Sequence, residues 1–339
     1  MTQVAIFLVI AAASWFMLKE LAVLLRPLLM AALICYLVLP MHSRLQKQHS
    51  EPKTIAIMTA GGLLITGGLG LIVYGSIISM SDELPRLTIR AHDVAKGSKD
   101  WSNLHLPAWM NHAADDFFRA EAKGVQMAQN LGSSVLQYAA NILIETAVVS
   151  LYVIFLMLEA GRMRRRVRNG FDADKSRHIL DTVRTINDGI ANYLKAKVRT
   201  SLILAVPVTV ILVVFGVKFA PIFGLVTFLA NFVPYVGTLV GLGAPLAFIF
   251  LDLPLSWQPV VAILLIATCH LATAAFVEPT MIGNAVGLSP LVVLISLTFW
   301  GLCWGIVGMF LAVPLTVTMK IVFANIESTK PIAALLGDT

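Results

Sequence analysis

The chain has 339 residues, of which 58% are hydrophobic and only 13% charged, with a mean hydropathy of +0.83. A soluble domain carries about 25% charged and about 45–50% apolar residues, so a soluble globular fold is excluded and an all-α, polytopic membrane protein is expected. The net charge of +6 does not argue for nucleic acid, because the basic run lacks aromatic interleaving and lies beside apolar segments.

A membrane-crossing helix needs about 20 apolar residues. Eight membrane-embedded segments are predicted: 3–18, 21–40, 54–80, 135–158, 198–218, 221–251, 257–280 and 288–323. The first two are separated by Lys19-Glu20, so either a tight hairpin or one bent element fits. The N-terminal apolar segment is expected to be a retained first span. Cys35, Cys269 and Cys303 lie in apolar runs without CxxC spacing and are expected to be buried.

Charge orients the spans. Loop 41–53 carries net +2, segment 161–199 net +7 with eleven Lys/Arg against four Asp, and loop 81–134 net −1. Lys/Arg-rich loops stay cytoplasmic, which puts 41–53 and 161–199 inside, 81–134 outside, and both termini inside. The run Arg162, Arg164, Arg165, Arg166 and Arg168 is expected to be a cytoplasmic anchor on anionic lipid. In 176–197, apolar residues Ile179, Val183, Ile186, Ile190 and Tyr193–Leu194 step by four and three, which describes an amphipathic helix. The expected layout is N-terminal helices to residue 80, an outer helical segment 81–134, a span 135–160, the basic helix 161–197, a core 198–323 and a cytoplasmic tail 324–339.

Two apolar runs are interrupted. NFVPYVGTLVG at 231–241 sits inside 221–251, and a similar aromatic–glycine cluster sits inside SPLVVLISLTFWGLCWGIVGMFLAVPLT at 289–316. If helical, Pro234 frees the carbonyl of Ala230, and Pro245 breaks the run again. Freed backbone groups survive in lipid only where protein or water receives them, and paired broken segments point to a transporter's binding site. Kinked helices packed through Gly237/Gly241 and Gly301/Gly305 are the other reading. Polar residues in the apolar runs are few: Asn231, Asn141, Glu145, His270 and Glu278. Glu278, Glu145 and His270 are candidate ion or proton sites. Trp300 and Trp304, four apart, fit packing. No Walker loop, GxSxG or HExxH motif indicates an enzyme, and no cofactor or metal is implied.

NFVPYVGTLVG, the block VEPTMIGNAVGLSPLVVLISLTFWGLCWGIVGMFLAVPLT at 277–316, and the spans around a basic helix resemble the AI-2E family of bacterial transporters. The resemblance runs from RPLLMAALICYLVLP at 26–40 to KPIAALLGD at 330–338. It implies export across the bacterial inner membrane, re-entrant hairpins, and a homo-oligomer, in the family a pentamer. Family substrates include the polar signal autoinducer-2, and some members resemble sodium(lithium)/proton antiporters. The family motifs fall on Asn231, Pro234 and Gly237, on Glu278, Pro279, Gly283, Gly287 and Pro290, and on Gly305, Gly308 and Pro314. With Gly241 added and Pro290 left out, these form the expected solute pathway. Asn284 stands where many relatives carry a basic residue. Three readings follow: an exporter of a small polar solute, a sodium(lithium)/proton antiporter, and a membrane scaffold binding a partner through 161–199.

Overall fold

The structure, a computed structural model, describes residues 2–45, 48, 50, 53–54, 56–64, ten positions between 67 and 89, 145–159, 162–163, 165–254, 256–281 and 287–337. Among the described residues every regular element is helical. These are α1 (Thr2–Glu20), α2 (Ala22–Leu45), α3 (56–64), α4 (145–159), α5 (Ala173–Val214), α6 (Ala220–Ala230), α7 (Val236–Asp252) and α8 (Trp257–Ala272). A π turn at Thr273–Val277 joins α8 to α9 (Glu278–Met281), and α10 (Pro290–Ala324) and α11 (Lys330–Leu336) follow.

By length and composition, α5, Trp257–Met281 and α10 each suffice to cross a membrane, and α1 with α2 forms a pair bent by 68°. The bent-element reading of the N-terminus therefore fits. The eight segments are not reproduced as eight separate helices. Ten of the 27 residues of 54–80 and part of 135–158 lie outside the described residues, and so does nearly all of the expected outer segment 81–134.

The fifth span and the amphipathic helix are one element. Nothing between Lys195 and Leu204 is Gly or Pro, so α5 runs unbroken for 42 residues, about 63 Å at 1.5 Å per residue. It stops at Gly216 (φ +71°), where Gly216 N–H donates to Val213 O and Val217 N–H to Leu212 O. That pair of bonds is a Schellman cap, and the left-handed residue it requires is the glycine. The apolar face of α5 buries Ile190, Tyr193 and Leu194 near its N-terminal half, and Leu204, Val208 and Leu212 further on.

Two helical hairpins pack on this axis. The first is α6, a turn at 231–235, and α7. Its open end is tied at the C-terminal end of α5, where Lys218 N–H donates to the Asp252 carboxylate at 2.7 Å. Gly224 lets α6 close on α5, since a Cβ there would lie 1.9 Å from Thr209 Oγ1. The second hairpin is α10. Gly305 breaks it at φ 67°, ψ −143°, and Ser296 Oγ donates to Ala312 O at 3.1 Å. Sixteen residues of straight helix would hold those atoms about 24 Å apart, so α10 folds back on itself. Its open end points the other way along α5, with Ile321 and Val317 against Gly189 in the N-terminal half of that helix. There Lys320 Nζ donates to Gly287 O, and Ser289 N–H donates to Leu336 O. The predicted tail 324–339 thus contains a helix, α11, folded against the mouth of the second hairpin.

Large apolar side chains face outward all along the core, among them Leu239, Leu264, Phe276, Leu302 and Ile306. A water-soluble surface does not present such continuous apolar area, which agrees with a membrane setting.

Candidate functional site

The two hairpin turns are built alike. A Cβ at Gly237 would lie 2.0 Å from Ala230 O, and one at Gly308 would lie 1.9 Å from Trp300 O. Each glycine therefore lets the returning arm touch the backbone of the outgoing one. One turn further on, a hydroxyl braces the arms: Thr227 Oγ1 donates to Gly241 O at 3.0 Å, and Ser296 Oγ to Ala312 O. Both accepting residues stand four positions after the contact glycine. The faint similarity of the two segments is thus a repeated backbone motif, with a longer outgoing arm in the second.

The prolines act differently from the sequence expectation. Pro234 is not helical, and Ala230 O accepts from Val233 N–H at 2.9 Å. Pro245 does not break α7, which continues to Asp252. The carbonyl it strips of its usual donor, four residues back, is that of Gly241, and the Thr227 hydroxyl satisfies it. Pro314 is likewise buried inside a continuous arm, nine residues after the break at Gly305. The first turn contains a strained residue that sequence reasoning missed. Val236 N–H donates to Pro234 O at 2.7 Å across Tyr235, whose φ is 63° and ψ −55°. This is a γ-turn in its rare, strained form, carried by a bulky residue that is exposed.

The turns meet. Phe232 stacks on Phe310 with centroids 4.8 Å apart, and Val233 packs with Leu297 and Ala312. Trp304 anchors the second turn by donating its indole N–H to Leu18 O at 2.9 Å. Leu18 is in the last turn of α1, where carbonyls lack helical partners.

Beside this meeting point lies a polar face on α5. Asn231 Nδ2 donates to Ser201 Oγ at 3.0 Å, with both residues buried. One turn away, Lys197 Nζ donates to Glu278 Oε1 at 2.8 Å. The lysine side chain is 4% exposed and the glutamate 35%. Tyr193, Lys197 and Ser201 stand at i, i+4 and i+8, all buried on one face. Lys197 and Ser201 were not singled out in the sequence. The signal was available: Lys197 lies on the apolar side of the wheel, opposite the exposed Lys195. An ion pair with a buried partner is costly and is often retained as a functional or specificity device.

The remaining expected residues are dispersed. Pro279 is exposed on α9, and Gly283 and Asn284 lie outside the described residues, as does Asn141. Gly287 (φ +54°) gives its carbonyl to Lys320 at the second hairpin's mouth. His270 is buried beside Gly241, its Nε2 without a partner among the described residues. Glu145 is exposed at the start of α4. Arg162 and Arg166 pair with Glu159 at 3.8 and 2.5 Å, Arg165 and Arg168 are exposed, and Arg164 lies outside the described residues. An apolar cavity of about 130 Å³ between α2, α3 and α4, walled by Ile34, Met58, Leu63 and Ile154, is remote in character from this polar face. No cluster able to hold a metal occurs among the described residues.

The family model described as AI-2E family transporter matches residues 4–328 of this chain. A protein of Haemophilus influenzae named for transport is 34% identical over 217 residues, 62% of this chain and 60% of that protein. The AI-2 transport protein TqsA of Escherichia coli is 30% identical over 215 residues, again 62% and 60%. The protein YrrI of Bacillus subtilis, also named for transport, is 24% identical over 321 residues, 92% of this chain and 88% of that protein. The chain therefore spans less than two thirds of the first two relatives' length.

Proposed function

The chain belongs to the AI-2E family of transporters, and from that premise we propose that it is a secondary transporter or facilitator exporting a small polar solute across the bacterial inner membrane. The observation that carries this reading is the pair of opposed hairpins whose turns meet beside the polar face of α5. The α6 arm of 11 residues is about 16 Å long, half of the roughly 30 Å hydrocarbon core, which supports a re-entrant hairpin. Opposed re-entrant hairpins meeting near the midplane are the arrangement that lets a solute be reached alternately from either side. Lys218 Nζ pairs with Glu83 at 2.5 Å at the C-terminal end of α5. That contact supports placing the first hairpin's mouth outside with segment 81–134, and the second hairpin's mouth in the cytoplasm.

The proposed solute contacts are Lys197, Ser201 and Asn231, with Glu278 at the exposed edge. Gly237, Gly241, Gly305 and Gly308 shape the two turns. Autoinducer-2 is the first solute to test, because the relative TqsA is named for it. An antiporter at this site needs Glu278 to exchange Lys197 for the ion and the proton in turn, and the other candidate carboxylate, Glu145, is exposed at the start of α4.

The test is autoinducer-2 efflux from proteoliposomes, with internal pH followed under a sodium gradient. Asn231→Ala and Ser201→Ala are expected to lower flux at least tenfold while inserting normally. Wild-type flux in both variants removes this face from the pathway. A sodium-driven pH change without solute flux overturns the exporter in favour of the antiporter.

A further inference from the structure

We infer that the polar face of α5 recognises an anionic group, a carboxylate or phosphate on the solute, and that Glu278 occupies its place when the site is empty. This rests on the transport reading above and names the class of substrate.

The ammonium of Lys197 has three donors, and its one hydrogen bond among the described residues goes to Glu278 Oε1. The lysine is sealed inside while its counter-ion reaches the surface. A buried cation without an anion is strongly unfavourable, so the site always requires one, either the protein's own or the solute's. Exchange of one for the other keeps the charge balanced and moves no buried cation. Asn231 and Ser201, one turn along α5, add neutral polar groups on the same face. A neutral solute would need no lysine here, since hydroxyl and amide groups suffice for hydrogen bonding.

A second observation shows how Glu278 is able to leave. It follows directly on the π turn Thr273–Val277. A π turn holds one residue more than an α turn, and it is frequent at functional sites. Conversion of that turn to α geometry would rotate the following residues by about 100°. Such a rotation carries the carboxylate off Lys197, and its side chain, unlike the lysine's, is already one-third exposed.

The experiment measures binding of lactate and of inorganic phosphate to the purified full chain in detergent, by ligand-dependent thermal shift, with glycerol as the neutral control. In wild type Glu278 competes, and binding is weak. Glu278→Gln removes the competitor and is expected to lower the apparent Kd for at least one anion tenfold or more. Lys197→Gln combined with Glu278→Gln is expected to abolish it. Lactate alone or phosphate alone identifies the group recognised. Glu278→Asp retains a shortened counter-ion and serves where the glutamine variant does not fold; it is expected to bind several-fold tighter than wild type. Equal anion binding in wild type and the Glu278 variants overturns the inference, as does binding that persists without Lys197. Autoinducer-2 flux in wild-type proteoliposomes is read separately. Flux without anion binding overturns the anion inference alone, and anion binding without flux of any tested solute overturns the transport reading alone.

Discussion

Gly308 and Gly237 are fixed by contact rather than by torsion. Neither has a positive φ, yet a methyl at either would collide with a main-chain oxygen at 1.9 or 2.0 Å. Backbone cannot swing aside as a flexible side chain does. Gly308→Ala is therefore expected to destabilise the protein by about 3 kcal/mol or more, the range of a forced core rearrangement. Gly243→Ala, where nothing lies within 4 Å, is expected to be neutral or to gain up to about 1 kcal/mol from helix propensity. Chemical denaturation in micelles reads both. The glycines were legible in the sequence as interruptions of apolar runs, but their roles were not: the collision partners, Ala230 and Trp300, are seven and eight residues away. Asn231 was legible because an amide in such a run needs a partner. Ser201, the partner it found, was not, because thirty residues separate them.

At the scale of elements, the π turn between α8 and α9 and the break in α10 are the two departures from regular helix that matter most. Both follow from partners outside the element. The turn at Gly305 has a conformation open to glycine alone among the common residues, and Trp304 on Leu18 O holds it in place. The π turn aims Glu278 at Lys197. Deleting Ala274 removes the extra residue, so a plain α-helix would keep Glu278 on the same face. Such a variant is expected to retain its unfolding free energy within about 1 kcal/mol, the scale of a local backbone change, while its flux falls tenfold or more. Unchanged flux shows that the π turn takes no part in movement. The sequence offered no sign of this turn, because TAAFV is compatible with either helix type. The spacing in 176–197 did put Ile190, Tyr193 and Leu194 on a buried face, while Ile179 and Ile186 of the same stripe are half-buried and Val183 is exposed.

On the scale of the whole molecule, α5 serves as the axis from which both hairpins are measured. One hairpin opens at its C-terminal end, the other toward Gly189. The Glu83–Lys218 pair ties the segment after the third predicted span to that C-terminal end. The hydrogen bond from Lys218 holds the Glu83 carboxyl below its ordinary value of 4.5. A carboxyl depressed in the folded state stabilises above its unfolded pKa and loses that contribution as pH falls through the folded one. Unfolding midpoints followed from pH 7 toward acid are thus expected to drop below about pH 4.5 partly through this pair, and Glu83→Gln is expected to flatten that part of the profile. An unchanged profile in the variant shows that the pair adds nothing to the acid response.

By itself the sequence determined that the chain is helical, belongs in a membrane and carries two interrupted apolar segments, because composition, hydropathy and the placement of Gly and Pro are properties of single stretches. It also carried the family motifs on Asn231, Glu278 and Gly305. Only the tertiary structure decided that the interruptions are hairpins opening in opposite directions along α5, that Thr227 satisfies the carbonyl Pro245 leaves free, and that Glu278 is paired with Lys197. Each of those facts joins residues between 14 and 81 positions apart. No local pattern encodes such a pairing; it arises when chain reversal brings a freed carbonyl or a buried charge to the nearest group able to satisfy it in a medium without water.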